Sequence, residues 1–483
     1  MPFRVEYNGC KTYGCPNCGQ QDLSIYSRSN RLGYDAWHCP ECGAFPPVLS
    51  NQPIIELAQQ IKREQFDLEF FDSCGCLQPQ LHRYGFTASG SQRVKCAQCQ
   101  QVVTLPNVEK LSKQLQPIMD ALIKGVTPDN LQKVCKLSNK AFSQRITMLA
   151  NLLTYASRQW EANFSLPLIQ TRTCVQTCRS GFQHHQSQQR ETYLWTVSSA
   201  DARSGYMLLI NDNALSSQSS LLSEALPSGI YKLDAVEQKV EDDEDVLSKA
   251  EKTYSKIMAR SQFDMLAYAE HRHALSKEAL IFRPVYAAHA HFQNLRQKVI
   301  SFPPQAIVLE HESFLRGAAI TAFCEEVSRD QTALFYCHVQ KQMPNSKSTA
   351  MTKTMSWWNE KWYRLFIDYA QSYWHVGIGV LTNKQFRVEQ LFPSHPNWNQ
   401  YFWHEFNGWL SPEYARRISL KRLHQWQDIY RYFFNLVFDD RLEVGNKLGV
   451  MPAEISSVVE SLCRQKAAPL QSLGISRPSG LKD

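Results

Sequence analysis

Closely spaced cysteine pairs constrain this chain more than any other feature of its sequence. Nine of its fifteen cysteines lie in the first 99 residues, and most of these nine are separated from a neighbour by one or two residues. The N-terminus lacks the apolar run of a secretion signal, and no uninterrupted apolar stretch is long enough to span a membrane. We therefore expect a cytoplasmic protein, in which paired cysteines favour metal sites over disulfides.

The first cluster contains Cys15-Pro-Asn-Cys18 and, after twenty intervening residues, Cys39-Pro-Glu-Cys42. Each pair places two thiolates on one tight turn, and two such turns at the ends of a short β-hairpin form a tetrahedral cage for zinc. Cys10 lies close by and could substitute for one ligand, but the regular spacing predicts that it carries no metal. The predicted ligands of this first zinc ribbon are Cys15, Cys18, Cys39 and Cys42.

A second cluster contains Cys74-Gly-Cys76 and, after nineteen intervening residues, Cys96-Ala-Gln-Cys99. Its first pair is spaced more tightly than is typical, but the four thiols still predict a second zinc ribbon. A ribbon of this size buries little apolar surface, so bound zinc would supply much of its folding free energy. Zinc held by four thiolates has no open coordination position, and we predict two structural zinc ions rather than a catalytic one.

Positive charge is concentrated just after this cluster. The segment from Cys76 to Trp160 holds eleven Lys and Arg against three acidic residues, a net charge of +8, whereas the whole chain has +7. Such a segment indicates contact with phosphate groups, although a solvated basic surface would have the same composition. Within the second ribbon, Arg93 and Lys95 are the predicted DNA contacts.

Three amphipathic segments follow the second ribbon. Apolar residues recur with helical spacing between Lys113 and Lys124, and Thr127-Pro128 then predicts the start of a short second helix. A longer third helix is predicted from Ser138 to about Tyr155. This order is typical of a helix-turn-helix, although an ordinary three-helix domain is the alternative. The polar residues of the third helix that we predict to contact DNA are Asn139, Lys140, Ser143, Gln144 and Arg145.

The segment from His82 to Cys99, which reads HRYGFTASGSQRVKCAQC, resembles the zinc ribbon of bacterial insertion-sequence transposases. Gly125-Val126-Thr127, before the second helix of the predicted helix-turn-helix, is similar to the same family. The resemblance covers roughly Cys74 to Tyr155. It implies double-stranded DNA as the partner, a location on the bacterial nucleoid, and an RNase H-like domain further along the chain.

Members of that family cleave and join DNA with three acidic residues that hold two Mg²⁺ ions. The first acid belongs on a strand where this chain has Gln170-Thr171-Arg172, and the second belongs where Glu310 follows a predicted buried strand. The third belongs on a helix, predicted here from Ser346 to Trp358, which contains no Asp or Glu. One carboxylate cannot hold two Mg²⁺ ions, so we predict no catalytic residues.

Two alternatives remain open at this stage. The chain could be an active transposase with a divergent acidic set such as Asp201, Glu310 and Glu360. It could instead be a zinc-stabilised interaction module that binds other proteins or a second copy of itself, without nucleic acid. We read the paired His271, His273, His289 and His291, and the thiols Cys174 and Cys178, as structural.

The predicted fold is a multidomain α+β chain with two N-terminal zinc ribbons, a helix-turn-helix and an α/β RNase H-like domain. The domain also carries a helical insertion. The predicted ranges are 1–52 and 68–107 for the ribbons, 108–160 for the helix-turn-helix, 161–460 for the RNase H-like domain with its insertion at about 211–300, and 466–483 for a disordered tail.

Overall fold

The structure is a computed structural model, and it describes most of the chain. The described residues are 4–67, 74, 76, 80–162, 170–184, 188–216, 245–259, 279–342, 351–355, 360–369, 371–382, 387–391, 395, 397–437 and 455–459. The tail predicted at 466–483 and the histidines at positions 271 and 273 lie outside these residues.

The N-terminal third contains two small antiparallel sheets and four helices. One sheet pairs β1 with β2, and the other has the order β3-β4-β5. A π-helical turn, Lys62–Phe66, extends the first helix. In chain order the elements are β1 (Ser27–Ser29), β2 (Ala36–His38), α1 (Asn51–Ile61), β3 (Leu81–Phe86), β4 (Gln92–Cys96), β5 (Val102–Thr104), α2 (Val108–Ile123), α3 (Pro128–Val134) and α4 (Asn139–Ala162).

The rest of the described chain forms a large mixed sheet with helices packed on it, so the protein is mixed α/β. The strands of this part of the chain are β6 (Gln170–His184), β7 (Gln188–Asp201), β8 (Met207–Asp212), β9 (Ala214–Ser216), β10 (Ala279–Ile281), β11 (Ala306–Glu310), β12 (Ala333–Gln342), β13 (Met351–Met355), β14 (Glu360–Tyr369) and β15 (Ser372–Val380). Its helices are α5 (Val246–Ala259), α6 (Pro284–Val299), α7 (Ser313–Ala322), α8 (Cys324–Ser328), α9 (Trp398–Trp409), α10 (Pro412–Ala415) and α11 (Leu420–Leu436).

Eight strands form the sheet in the order β13-β14-β15-β12-β11-β6-β7-β8, and β9 pairs with β10 separately. Strand β11 lies parallel to both β6 and β12, while every other pair is antiparallel. The first four residues of β11 are buried apolar residues, as expected for a parallel strand covered on both faces. The register aligns Leu309 with Thr173, which places Glu310 at the carboxyl end of β11 beside β6.

Several predicted elements are confirmed. The predicted buried strand that Glu310 follows is β11. It is followed by α7 and α8, and a hairpin about residues 202–204 joins β7 to β8. His291 is fully buried, with hydrogen bonds of 2.7 Å to Ser199 and 2.6 Å to Asn211, so its role is structural. Cys174 and Cys178 are buried thiols.

Two predicted helical regions differ from the structure. Within the helix predicted from Ser346 to Trp358, the described residues 351–355 form strand β13. The insertion predicted at about 211–300 contains α6, which is buried along most of its length between α1 and α7 and belongs to the core. The small side chains of α6, Ala287, Ala288 and Ala290, let neighbouring helices approach it closely.

One apolar core links the N-terminal elements to the large sheet. It contains residues of α1, of α2 to α4, and of the helices on the sheet. Asn294 of α6 donates a 3.1 Å hydrogen bond to the carbonyl of Ala58 in α1, where the two helices cross. Among the described helices, none is both long and apolar enough to cross a membrane.

Candidate metal centres and nucleic-acid interface

The first thiol group consists of Cys10, Cys15, Cys39 and Cys42, whose sulfur atoms all lie within 4.8 Å of one another. The sulfurs of Cys10 and Cys42 are 3.5 Å apart, and those of Cys15 and Cys39 are 3.8 Å apart. A zinc ion with Zn–S bonds of about 2.3 Å in a tetrahedron places its sulfurs about 3.8 Å apart. The group therefore has the size and the donor set of a zinc site.

Cys10 stands in this group where the spacing predicted Cys18. The backbone holds Cys10 in place, because its N–H donates to the Tyr26 hydroxyl at 3.1 Å and its carbonyl accepts from Gly19 at 3.0 Å. Cys18 lies instead beside Cys324 of α8, and a Cβ atom built on Gly19 would be 2.9 Å from the Cys324 sulfur. Burial, with a contribution from Cys324, raises the pKa of Cys18 to about 12.

The second group consists of Cys74, Cys76, Cys96 and Cys99, the four residues that the sequence predicted. Its sulfurs also lie within 4.8 Å of one another, and those of Cys76 and Cys96 are 3.9 Å apart. The tight Cys74-Gly-Cys76 spacing is therefore compatible with a four-thiolate zinc site.

Each group contains one thiol that ionises readily. Hydrogen bonds from backbone N–H groups, that of Cys99 first, lower the pKa of Cys96 to about 6. In the first group burial raises the pKa of Cys39, but the backbone N–H groups of Cys42 and Glu41 outweigh it and bring the pKa to about 7. Since zinc binds thiolates, these two cysteines are the natural first ligands of an incoming ion.

The second ribbon presents its predicted DNA contacts on one face. Arg93 and Lys95 alternate with the buried Val94 along β4, so both point away from the inner side of the small sheet. The Arg93 guanidinium and the Lys95 ammonium each lie 5.4 Å from the centre of the Tyr84 ring on β3. Both cations are therefore gathered over one aromatic side chain.

Helices α2, α3 and α4 have the predicted helix-turn-helix order. Four residues, 135–138, connect α3 to α4, and the Ser138 hydroxyl accepts a 3.3 Å hydrogen bond from the N–H of Ala141. At the start of α4, Asn139, Lys140 and Gln144 are exposed, and Arg145 is half-buried. These four side chains form a polar surface at the N-terminal end of the longest helix.

Ser143 differs from the other predicted contacts, because it meets the body of the protein. Its hydroxyl accepts a 2.6 Å hydrogen bond from Arg422 of α11, and its carbonyl accepts another at 3.2 Å. One turn later, Gln425 of α11 donates to the Thr147 hydroxyl at 3.0 Å. This side of α4 is consequently attached to α11.

The positions expected for metal-binding acids hold a buried arginine. Arg172 is 4% exposed and donates a 3.3 Å hydrogen bond to Asn397. Burial lowers the pKa of Arg172, but Cys174, Cys337 and Glu310 raise it, and the result is above the ordinary value. Burial raises the pKa of both thiols, and Glu310 is the carboxyl whose charge acts on the guanidinium.

The divergent acidic set of Asp201, Glu310 and Glu360 does not converge. Strands β7 and β14, which carry Asp201 and Glu360, are five steps apart in the sheet, or about 24 Å at about 4.8 Å per step. Asp201 accepts hydrogen bonds from Ser204 within its own turn. Burial raises the pKa of Glu360 to about 8, and this carboxyl accepts a hydrogen bond from Tyr254. These acids therefore cannot share a pair of metal ions.

No protein-family model matches this chain. No curated protein matches it either. The proposed function therefore rests on the geometry of the described residues.

A polar cluster that the sequence did not predict lines a small cavity between α1, β8 and α11. The cavity measures about 40 Å³ and is bordered by Glu64, Asp212, His424 and Asp428. The Nε2 atom of His424 lies 2.6 Å from a carboxylate oxygen of Asp212. Burial lowers the pKa of His424, but Asp212 outweighs it and raises the pKa to about 9, so a charged pair fixes α11 to β8. No local sequence pattern predicts this polar cluster, because its residues come from three distant segments.

Proposed function

We propose that this chain is a zinc-containing, transposase-derived DNA-binding protein that does not cleave or join DNA. The exposed polar and basic start of α4, on the same chain as the cationic face of the second ribbon, is the observation that carries the binding proposal. Cations on both surfaces suit the phosphates of DNA, and the polar start of α4 also suits the base edges of a duplex. The expected location is the bacterial nucleoid.

The transposase-derived part of the proposal draws support from strand order. Five consecutive strands of the sheet have the order β8-β7-β6-β11-β12, and among these five β7 alone runs against the others. That arrangement is the one expected of an RNase H-like domain. It agrees with the resemblance of the second ribbon and the helix-turn-helix to insertion-sequence transposases.

The proposed lack of strand cleavage rests on Arg172. Two Mg²⁺ ions require several anionic ligands around them, whereas here a guanidinium lies beside the one carboxylate, Glu310, that occupies an expected acidic position. Helix α9, which covers β6 and β7, contributes amide and indole groups from Asn399 and Trp403 to Ser198. The sheet thus keeps its shape, while the positive charge of Arg172 opposes a metal cation beside Glu310.

We expect duplex binding that weakens steeply with salt and depends on α4. Changing Lys140 and Arg145 together to Ala should lower affinity by about 2 kcal/mol, roughly 30-fold, if both contact DNA. Electrophoretic mobility shifts over a salt series measure this effect. Changing Lys361 and Arg329 to Ala removes the same charge from exposed positions elsewhere and is the control. Equal affinity in the two double variants would place the interface away from α4, and no binding at low salt would favour the protein-interaction module.

We also expect the zinc-loaded protein to leave supercoiled and linear DNA intact in the presence of Mg²⁺ or Mn²⁺. Agarose gels that separate nicked from supercoiled plasmid report this directly. Metal-dependent nicking that disappears in Glu310→Gln would contradict the proposal, because it would show that this carboxylate serves a metal site. Nicking that persists unchanged in Glu310→Gln would point to a contaminating nuclease.

A further inference from the structure

The outer strand of the second ribbon exposes large aromatic rings. All five residues from His82 to Phe86 on β3 are exposed, with Tyr84 at 48% and Phe86 at 69%. The opposite side of the same small sheet is covered, since Val94 and Val103 are 2% and 3% exposed. Tyr84 thus lies on the outer side of the sheet, and Phe86 is exposed at the end of β3 although it is on the same side as the buried Val94.

The charged side chains of β3 and β4 are all positive. Arg93 and Lys95 lie over the Tyr84 ring, and Arg83 is exposed on the other side of the small sheet, where it pairs with Val94. The sequence has no Asp or Glu between positions 80 and 101. We call His82, Tyr84, Arg93 and Lys95, which the strand pairing places on one side of the small sheet, together with Phe86 at the end of β3, the aromatic-cationic face.

The backbone fixes Phe86 in its outward position. The pairing of β3 with β4 shifts register between Arg83 and Phe86, and Gly85 in that bulge has a φ of 85°. The following turn is closed by hydrogen bonds of 2.8 Å from Thr87 to Ser91 and 2.9 Å from Gly90 to Thr87. A β-bulge redirects the side chains that follow it, and Phe86, which pairs with Gln92, lies on the side of the sheet opposite Tyr84 and is exposed there at the end of β3.

We infer that the aromatic-cationic face binds unpaired nucleotides of DNA, a partner that deepens the proposed function and rests on it. An aromatic ring can stack on a base only where the face of the base is free, and in a duplex neighbouring bases cover both faces. A row of cations beside exposed rings follows the sugar-phosphate backbone while the rings stack on successive bases. The helix-turn-helix then holds duplex, and the ribbon holds a neighbouring single-stranded stretch.

The test compares two oligonucleotides on the full-length, zinc-loaded protein by fluorescence anisotropy. One probe is a labelled oligothymidine of about 12 nucleotides, a length suited to a single stacking site. The other is a labelled duplex of mixed sequence. The variant changes Tyr84 and Phe86 to Ala, and Phe302→Ala, which removes a ring that is 50% exposed elsewhere, is the matched control. Changing Tyr84 to Phe and Phe86 to Trp keeps the stacking surface. A zinc content equal to that of the unchanged protein shows that each variant is folded.

We expect the Ala variant to bind the single strand at least about tenfold more weakly, with the duplex affinity changed much less. The Phe302→Ala control and the Phe/Trp variant should bind the single strand as the unchanged protein does. Single-strand affinity that is equal in the Ala variant, or that falls no more than duplex affinity, would overturn the inference. In the second case the rings act in a duplex groove.

The inference and the proposed function fail in different ways. If the protein binds duplex through Lys140 and Arg145 but does not bind the single strand, the proposed function is supported and the inference is wrong. If it binds neither probe at low salt, both are wrong. If single-strand binding depends on Tyr84 and Phe86 and the protein does not bind duplex, the stacking site is supported and α4 has no role in duplex binding.

Discussion

Replacing Cys10 by Ser is expected to remove one of two zinc ions from the chain, whereas Cys18→Ser should leave both. The sulfur of Cys10 lies 3.5 Å from that of Cys42, inside the first thiol group, and Cys18 lies outside it beside Cys324. Structural zinc contributes an apparent binding free energy on the order of 10 kcal/mol, so losing one ligand of four should unfold the first ribbon locally.

Native mass spectrometry counts the zinc ions, and proteolysis at the first ribbon reports its unfolding. Cys324→Ser is the matched control, because it changes the other thiol of the neighbouring pair and should also retain two ions. Zinc loss in Cys18→Ser with retention in Cys10→Ser would restore the ligand set that the spacing predicted. Fewer than about one ion per chain in the unchanged protein would contradict both thiol groups as zinc sites.

Arg172→Met is expected to destabilise the protein by about 1–3 kcal/mol, between the values typical of an exposed and a fully buried charged pair, because Glu310 is only half-buried. The guanidinium is 4% exposed, and without it the half-buried Glu310 carboxylate loses the cation beside it. Combining Arg172→Met with Glu310→Gln should recover part of this loss, since neither charge then remains. Chemical denaturation of the zinc-loaded proteins gives the free energies of unfolding for the double-mutant cycle.

Lys353→Met is the control for this cycle. Lys353 lies on β13 and pairs with Glu251 at 2.6 Å, and the two side chains are 38% and 56% exposed, so the expected cost is below about 1 kcal/mol. If the losses in free energy of unfolding caused by Arg172→Met and by Glu310→Gln simply add, the two groups do not interact. In that event Arg172 would not explain the proposed lack of metal binding beside Glu310.

Features marked by local sequence patterns were predictable. The two closely spaced pairs Cys74-Gly-Cys76 and Cys96-Ala-Gln-Cys99 predicted the second thiol group, because all four ligands lie within 26 consecutive residues, 74–99. Helical periodicity and the Thr127-Pro128 start signal identified α2 and α3, and a run of apolar residues identified β11. In each case the interactions that form the element or the thiol group act between residues that are close in sequence.

Features decided by distant contacts were not predictable. Spacing alone does not show that Cys18 lies beside Cys324, which is 306 positions after it, while Cys10 joins the other three thiols. The acid-free segment, where the family resemblance implied a helix, instead supplies β13, an edge strand that pairs with β14. The pair of Asp212 and His424 likewise joins residues that are 212 positions apart.

The hydrogen bonds from Arg422 and Gln425 to α4 have a consequence for the proposed DNA binding. They attach α4 to α11, which is itself held to β8 by His424, so a DNA-binding surface on α4 would have a fixed orientation relative to the large sheet. For two copies on one DNA molecule, the distance between their binding sites is then set by how the two bodies meet. Substitutions at a contact between copies, far from any nucleotide, would therefore change the preferred number of base pairs between half-sites.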